Sequence, residues 1–139
     1  RKAHDADISN VDRAMMMNRS NVDCWLRIHA NGSDNPDANG MFMLVPAVGS
    51  MATDDPGVHE RSVALAETLL QSVQSSTGAK SLGIQFRSDQ TGFGWSKAPV
   101  CTIEMGHMTN KTEEYQIVSE SYQNKIVQGL TEGFIAYFQ

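Results

Sequence analysis

The chain has 139 residues, which is enough for one domain with a substantial core and too few for two domains of ordinary size. Its 16 acidic residues outnumber its 11 basic ones and no basic run occurs, so the charge pattern of a nucleic-acid-binding protein is excluded. No apolar stretch approaches the roughly 20 residues of a membrane span, and none is expected. The two cysteines, Cys24 and Cys101, are too few for a disulfide framework and are expected to be small buried apolar side chains.

Hydrophobic periodicity and turn residues predict four helices and four strands. In chain order these are a helix over 11–21 capped by Asn10, a strand over 24–29, a strand over 40–46, a helix over 55–77, an edge strand over 81–87, a strand over 99–104, a short helix capped by Asn110 or Thr112, and a last helix from Ser119. This alternation favours an α/β fold with a largely parallel sheet covered by helices on both faces. The segment 88–98 is expected to be a loop. The last helix is expected to bury a broad apolar face that includes Val127, Ile135 and Phe138.

Two polar side chains, His29 and Glu104, end predicted buried strands. In open α/β sheets the carboxyl ends of the strands are where ligands and catalytic groups collect. Because side chains alternate along a strand, Trp25, Arg27 and His29 should share a face, and Thr102 should share one with Glu104. If the two strands are neighbours, an imidazole and a carboxylate lie in one crevice.

Glu104 is the stronger candidate for chemistry. A carboxylate that follows the apolar run 100–103 would be costly to bury unpaired, so it should meet a metal, a cation or an open site. His29 alone is weak evidence, since a lone histidine at a strand end is more often a structural residue. A metal-bound hydroxide with a carboxylate as proton acceptor would use both groups, and that chemistry is the hydrolysis of an amide or ester.

Other polar side chains have both a functional and a structural interpretation. Arg27 and Arg87 could each hold a substrate carboxylate through bidentate bonds, and a structural ion pair explains each of them equally well. A nucleophile built from Cys101 and His107 is disfavoured, because it also needs a base in reach and an orienting third group.

Three stretches of the chain carry a more specific pattern. They are Arg13–Asn18 followed by Asp23, then Leu26–Gly32, and finally Pro99–Asn110 followed by Glu113 and Glu114. In order and spacing they resemble the zinc-dependent N-acetylmuramoyl-L-alanine amidases of the amidase 3 family, and the resemblance runs from Arg1 to the C-terminus. It implies a twisted, mostly parallel sheet flanked by helices. It also implies an enzyme that cleaves the amide between N-acetylmuramic acid and the L-alanine of the peptidoglycan stem peptide.

The resemblance assigns roles to single residues. His29 of the His-Ala-Asn motif matches a zinc ligand, and Glu104 of the Glu-Met-Gly motif matches the catalytic carboxylate. Arg27, Asn31 and Arg87 are the candidate substrate-binding residues. Zinc is the expected cofactor, peptidoglycan the expected partner, and the cell wall or periplasm the expected location. The family also allows an activator or a wall-binding domain elsewhere.

Three features depart from the family pattern. Arg27 replaces a serine, and His107 replaces an aromatic or aliphatic residue. The third is that the Gly-His-Gly zinc motif and the following helix with a glutamate ligand are not in this sequence. Arg1 matches the arginine after the second strand of the family, so a βαβ unit of about 30 residues or more is expected to be missing. One of three zinc ligands then remains. A non-catalytic cell-wall binding or regulatory module of the same fold, and another zinc amide hydrolase such as a peptidase, stay open as alternatives.

Overall fold

A computed structural model describes residues 7–53 and 55–139, so Arg1 lies outside the described part. Within these residues the elements are α1 (Asn10–Arg19), β1 (Trp25–Asn31), β2 (Met41–Pro46), α2 (Gly57–Thr77), β3 (Ser81–Arg87), α3 (Thr91–Gly94), β4 (Val100–His107), α4 (Lys111–Ile117) and α5 (Glu120–Tyr137). All eight predicted elements are present. None of the described helices combines the length and the apolar character that crossing a membrane requires.

The strands form one sheet in the order β1-β4-β2-β3. β1 pairs with β4 in parallel and β2 with β3 in parallel, whereas β2 and β4 are antiparallel. The predicted mostly parallel sheet is therefore confirmed as a mixed sheet in which two of the three described pairs are parallel. β2 is buried at every position, as expected for an inner strand, and β3 is at the predicted edge.

Helices cover both faces of the sheet, as predicted, and each face has its own core. The larger core joins the sheet to α2 and α5, and its fully buried members include Met41, Met43, Val45, Leu65, Leu69, Val73, Cys101 and Ile103. The smaller core joins the other face to α1 and α3 and contains Ala14, Trp25, Phe42, Leu44, Phe93 and Val100. Even and odd positions of β4 thus serve different cores, which is the alternation expected of a strand.

Two strands are longer than predicted. β1 continues two residues beyond His29, and β4 continues three residues beyond Glu104. The register of the pair shifts between His29 and Asn31, and Asn31 then pairs with His107. The polar residues that suggested strand ends are therefore still part of the ladder. The extension brings two more polar side chains, Asn31 and His107, to the same end of the sheet.

Two details of the helices differ from the prediction, and a third decides between two predicted caps. Ser9, not Asn10, caps α1, because its hydroxyl accepts a hydrogen bond from the backbone N–H of Asp12 at 3.1 Å. The segment 88–98, predicted as a loop, contains the one-turn helix α3, because its two glycines are typical of loops and gave no helix signal. For α4, the structure selects Asn110 over Thr112 as the cap.

The broad buried face predicted for α5 is confirmed only in part. Ile126 and Leu130 are buried in the larger core and Tyr122 and Phe134 pack against it, whereas Val127, Ile135 and Phe138 are 60%, 55% and 59% exposed. The buried face is therefore narrower than predicted, and it also contains Gly129 and Gly133, which let α5 approach α2 closely. The contact between α5 and α2 therefore depends on glycines, which have no side chain, and apolar side chains at its margins are exposed to solvent.

Candidate functional site

Neighbouring strands bring the predicted imidazole and carboxylate together. β1 and β4 are paired in parallel, and His29 is the Cα partner of Glu104. On the other side of β4, Phe42 of the smaller core is the partner of Glu104. Cross-strand partners project to the same face of a sheet. His29 and Glu104 therefore share the face that carries α1 and α3, and the predicted pairing of their strands is confirmed, although Glu104 lines the cavity on this face and His29 does not.

Glu104 is nearly buried without being neutralised by a direct partner. Its residue surface is 8% exposed, and Oε2 has no hydrogen-bond partner among the described residues. Burial raises the pKa of the Glu104 carboxyl above its ordinary value, while electrostatic interaction, first with Arg27 and then with the nearby His107 ring, opposes that shift. A carboxyl group in this setting is suited to accepting and returning a proton.

The pKa of His29 is shifted in the opposite direction to that of Glu104. The side chain is exposed, yet desolvation and then the charges of Arg27 and Arg13 lower the pKa of its imidazole. A lowered pKa keeps the ring neutral at neutral pH. The neutral ring has a free nitrogen lone pair, which is the form that binds a metal ion.

A cavity of about 320 Å³ opens beside Glu104. It extends across β2 to Arg87 and Gln90 after β3, and Asn31 and His107 also line it. Among the candidate substrate-binding residues, Asn31 and Arg87 therefore line one cavity with the carboxylate. Gln90 and His107 were missed, because only the folded sheet brings them to this place.

Arg27 and Arg87 have different surroundings. Arg87 forms the bidentate ion pair that the structural interpretation predicted, with Nε and Nη2 at 2.9 and 2.6 Å from the carboxylate of Asp89. Arg27 has no carboxylate within 4.0 Å among the described residues. Its Nη1 donates to Oε1 of Gln90 at 2.7 Å, and its guanidinium lies 5.9 Å from the centre of the Phe93 ring. Arg27 therefore remains a half-buried cation without an ionic partner in the described part of the chain.

His107 lies between two other polar side chains at the edge of the cavity, Asn31 and Glu113. Nε2 of His107 lies 3.1 Å from Nδ2 of Asn31, and Nδ1 of His107 lies 3.3 Å from Oε2 of Glu113. The sequence marked His107 as a departure from a family pattern and as the partner of Cys101 in a disfavoured nucleophile, and not as a neighbour of Asn31. The additional signal was Glu113, an acidic residue in the first turn of a helix that begins four residues after His107.

The described residues do not complete a metal site. No group of three or more His, Cys, Asp or Glu side chains lies close enough to hold a metal ion in residues 7–53 and 55–139. His29 supplies one imidazole, and the unpartnered oxygen of Glu104 supplies a proton acceptor. A catalytic zinc requires three protein ligands. The donor set of the described residues alone therefore does not fit a catalytic zinc ion.

The alternative nucleophile built from Cys101 and His107 is wrong. Cys101 is fully buried in the larger core, on the opposite face of β4 from Glu104, and burial raises the pKa of its thiol strongly.

We expect iodoacetamide at pH 8 to leave Cys101 unmodified in the folded protein and to modify it in urea, as measured by mass spectrometry. The half-buried Cys24 is the internal control and should react first. Rapid native labelling of Cys101 would contradict this placement.

Solved structures define the class of protein to which the fold belongs. The chain superposes with a TM-score of 0.84 on the crystal structure of N-acetylmuramoyl-L-alanine amidase from Clostridium difficile 630. The two are 27% identical, and the superposition covers 99% of this chain and 69% of that chain. The chain therefore has the fold of an amidase.

Sequence comparison then identifies the family. Residues 1–136 match the family described as N-acetylmuramoyl-L-alanine amidase, and the chain belongs to that family. It is 22% identical over 138 residues to the N-acetylmuramoyl-L-alanine amidase LytC of Bacillus subtilis, covering 99% of this chain and 26% of LytC. It is 25% identical over 116 residues to the probable cell wall amidase LytH of Staphylococcus aureus, covering 84% of this chain and 35% of LytH. The chain thus spans about a third or less of these two curated relatives, and the family resemblance is confirmed.

Proposed function

We propose that this chain belongs to a peptidoglycan hydrolase that cleaves the amide bond between N-acetylmuramic acid and the L-alanine of the stem peptide. The observation that carries the proposal is the pairing of His29 with Glu104 across β1 and β4, in a chain of the amidase family. The carboxylate is buried, lacks a direct partner among the described residues and lines an open cavity. The cell wall or the periplasm is the location that this substrate requires.

Each of the two residues has a separate role in the proposal. Glu104 accepts the proton of the attacking water and returns it to the leaving amine, and burial of its carboxyl group favours both transfers. His29 is one zinc ligand, and its neutral ring meets that requirement. In a completed site His29 would hold one side of the zinc ion, and the chemistry that the metal would supply is polarisation of the scissile carbonyl and a lowered pKa of water. The remaining ligands would have to come from outside the described residues.

Two of the proposed substrate contacts, Asn31 and Arg87, line the cavity, and the third, Arg27, lies beside it and donates to Gln90 of its lining. Arg27 is half-buried and has no carboxylate partner in the described part of the chain, so we propose that it attracts an acidic group of the stem peptide. Asn31 offers an amide beside Glu104, and Arg87 lies farther along the cavity. The ion pair of Arg87 with Asp89 makes Arg87 the weaker of the two basic contacts.

The products of peptidoglycan digestion test the reaction. The hydrolase to which this chain belongs, purified with zinc, should release stem peptides that begin with L-alanine from isolated peptidoglycan, as measured by mass spectrometry. Cleavage within the peptide would instead identify a peptidase of the same fold. Absence of any cleavage product would contradict the proposed hydrolysis.

The metal content tests the role of His29. We expect His29→Ala to reduce the zinc bound by the protein, because it removes a ligand, whereas Glu104→Gln should leave bound zinc unchanged. His59→Ala is the matched control, since His59 lies in the first turn of α2, beside Phe86, with its ring centroid 6.2 Å from that of Phe86. Elemental analysis after dialysis gives the metal content. Zinc that stays at the wild-type level in the His29 variant would contradict the assignment.

A non-catalytic cell-wall binding module is the second candidate function. The observation in its favour is that one imidazole, without a group of three possible ligands, is present at the site in the described residues. Such a module would sediment with isolated peptidoglycan, bind no stoichiometric zinc and release no stem peptide. These three measurements separate it from the hydrolase.

A further inference from the structure

Three polar side chains, Glu113, His107 and Asn31, follow one another beside the cavity that Glu104 lines. We refer to them as the Glu113–His107–Asn31 row. His107 ends β4, Asn31 ends β1, and the two are Cα partners after the shift in register. His107 is a buried residue, and both His107 and Asn31 line the cavity. The row therefore links the start of α4 to the proposed substrate site.

Glu113 is held firmly at one end of the row. Its Oε1 accepts a hydrogen bond from the backbone N–H of Gly40 at 2.8 Å, and its Oε2 accepts one from the backbone N–H of His107 at 2.8 Å. Gly106 makes room for it, since a Cβ atom there would lie 3.2 Å from Cδ and Oε2 of Glu113. Gly106 also has a φ of +143°, a conformation that disfavours side chains. The backbone before β2, at Gly40, and the backbone at the end of β4, at Gly106 and His107, thus fix the position of this carboxylate on α4.

The carboxylate determines which ring nitrogen of His107 carries the proton. Nδ1 is buried and lies 3.3 Å from Oε2 of Glu113, although no atom of the described residues completes hydrogen-bond geometry with it. A lone pair on Nδ1 would face the negative oxygen, so the proton belongs on Nδ1. In the neutral ring Nε2 is then an acceptor.

The protonation of His107 in turn orients the amide of Asn31. With Nε2 as acceptor, the atom of Asn31 at 3.1 Å must be the donor Nδ2. Turning the amide over would place Oδ1 against the lone pair of Nε2. Oδ1 of Asn31 is therefore directed away from His107, and it has no hydrogen-bond partner among the described residues.

We infer that His107 is a positioning residue that fixes Asn31 so that its Oδ1 accepts a hydrogen bond from a peptide N–H group of the ligand. The inference rests on the proposed function, which it extends by naming a contact to the stem peptide. A site that offers an oriented acceptor selects ligands with an N–H group, because a ligand without one leaves the acceptor unpaired. The departure of His107 from the family pattern thus has a function in substrate recognition.

The tautomer of His107 can be measured without any assay of activity. A long-range ¹H–¹⁵N correlation spectrum of the folded protein should show the neutral His107 ring protonated on Nδ1 and unprotonated on Nε2. Glu113→Gln should change the His107 pattern, whereas Glu114→Gln, an exposed neighbour on α4, should not. A ring protonated on Nε2 in the wild-type protein would overturn the inference.

Binding of N-acetylmuramoyl-L-alanyl-D-isoglutamine tests the link to the ligand. His107→Phe should weaken binding about tenfold, the effect of one lost hydrogen bond, and His107→Gln should restore most of it because its Oε1 can replace Nε2 as acceptor. In the Asn31→Ala background, His107→Phe should have no further effect. His59→Phe is the matched control and should bind as the wild type does.

The outcomes separate this inference from the proposed function. Equal effects of His107→Phe in the wild-type and Asn31→Ala backgrounds would show that His107 does not act through Asn31, and would overturn the inference. Absence of binding to the wild-type protein would also overturn it. Binding with the expected coupling, but without hydrolysis of peptidoglycan, would support the inference and contradict the proposed hydrolase activity.

Discussion

Replacing Glu104 with Gln is expected to lower the rate of stem-peptide release by about 10²- to 10⁴-fold, the usual effect of losing a general acid–base group. Gln has the size of the carboxyl group and can neither accept the proton of water nor return it to an amine. The free energy of unfolding should not fall. The change removes a charge that is nearly buried and whose Oε2 lacks a partner in the described residues, so it relieves a desolvation cost.

The comparison that isolates this effect is Glu114→Gln. Glu114 is an exposed acidic residue of α4 and should tolerate the change with full activity. Urea denaturation of both variants gives the free energy of unfolding, and product analysis by mass spectrometry gives the rate. An active Glu104→Gln variant would contradict the role of Glu104 while leaving the family assignment intact.

Replacing Gly129 with Ala is expected to destabilise the fold by about 1–3 kcal/mol, the usual cost of overpacking. The added Cβ would lie 2.6 Å from Cα of Val73 and 2.9 Å from the backbone oxygen of Ser72, so α5 and α2 would have to separate. The hydroxyl of Ser76, which donates to the backbone oxygen of Lys125 at 2.8 Å, would be displaced as well. The measurement is the free energy of unfolding in urea.

The direction in which Gly129→Ala changes the free energy of unfolding tests the close packing of α5 on α2. At an exposed helical position, Gly→Ala stabilises by up to about 1 kcal/mol, because alanine has the higher helix propensity. Asn124→Ala, at an exposed position of α5, is the matched control and should be neutral or stabilising. A stabilising Gly129→Ala change would show that the two helices are not in close contact at this point.

Much of the fold can be predicted from sequence patterns within single helices and strands. The site requires in addition that β1 and β4 be neighbours. The apolar runs identified all four strands, and alternation along β1 and β4 placed His29 and Glu104 on matching faces. Their juxtaposition then required only that the two strands be neighbours, which the register confirms. These predictions succeeded because each depends on periodicity within a single element.

The errors arose where contacts between distant segments override the local pattern. The Ala-Asn-Gly sequence suggested that β1 ends at His29, yet pairing continues, and the backbone N–H of Met108 donates to the oxygen of Asn31 at 2.8 Å. Hydropathy correctly favoured Ile126 and Leu130 as buried residues of α5 but wrongly added Val127 and Ile135, because the rest of the buried face consists of glycines that contribute nothing to a hydropathy pattern. The role of His107 depends on Glu113 folding back onto β4, a contact that neither residue type predicts.

The parallel pairing of β1 with β4 also has a consequence for folding. Asn31 and His107 are 76 positions apart in the chain, and β2, α2, β3 and α3 lie between their strands. Joining such distant segments carries the entropy cost of closing a long loop, and contacts of this kind form slowly. We therefore expect His29 of β1 and Glu104 of β4 to come together late in folding. A partly folded molecule has all of the side chains discussed here but cannot assemble them into a site.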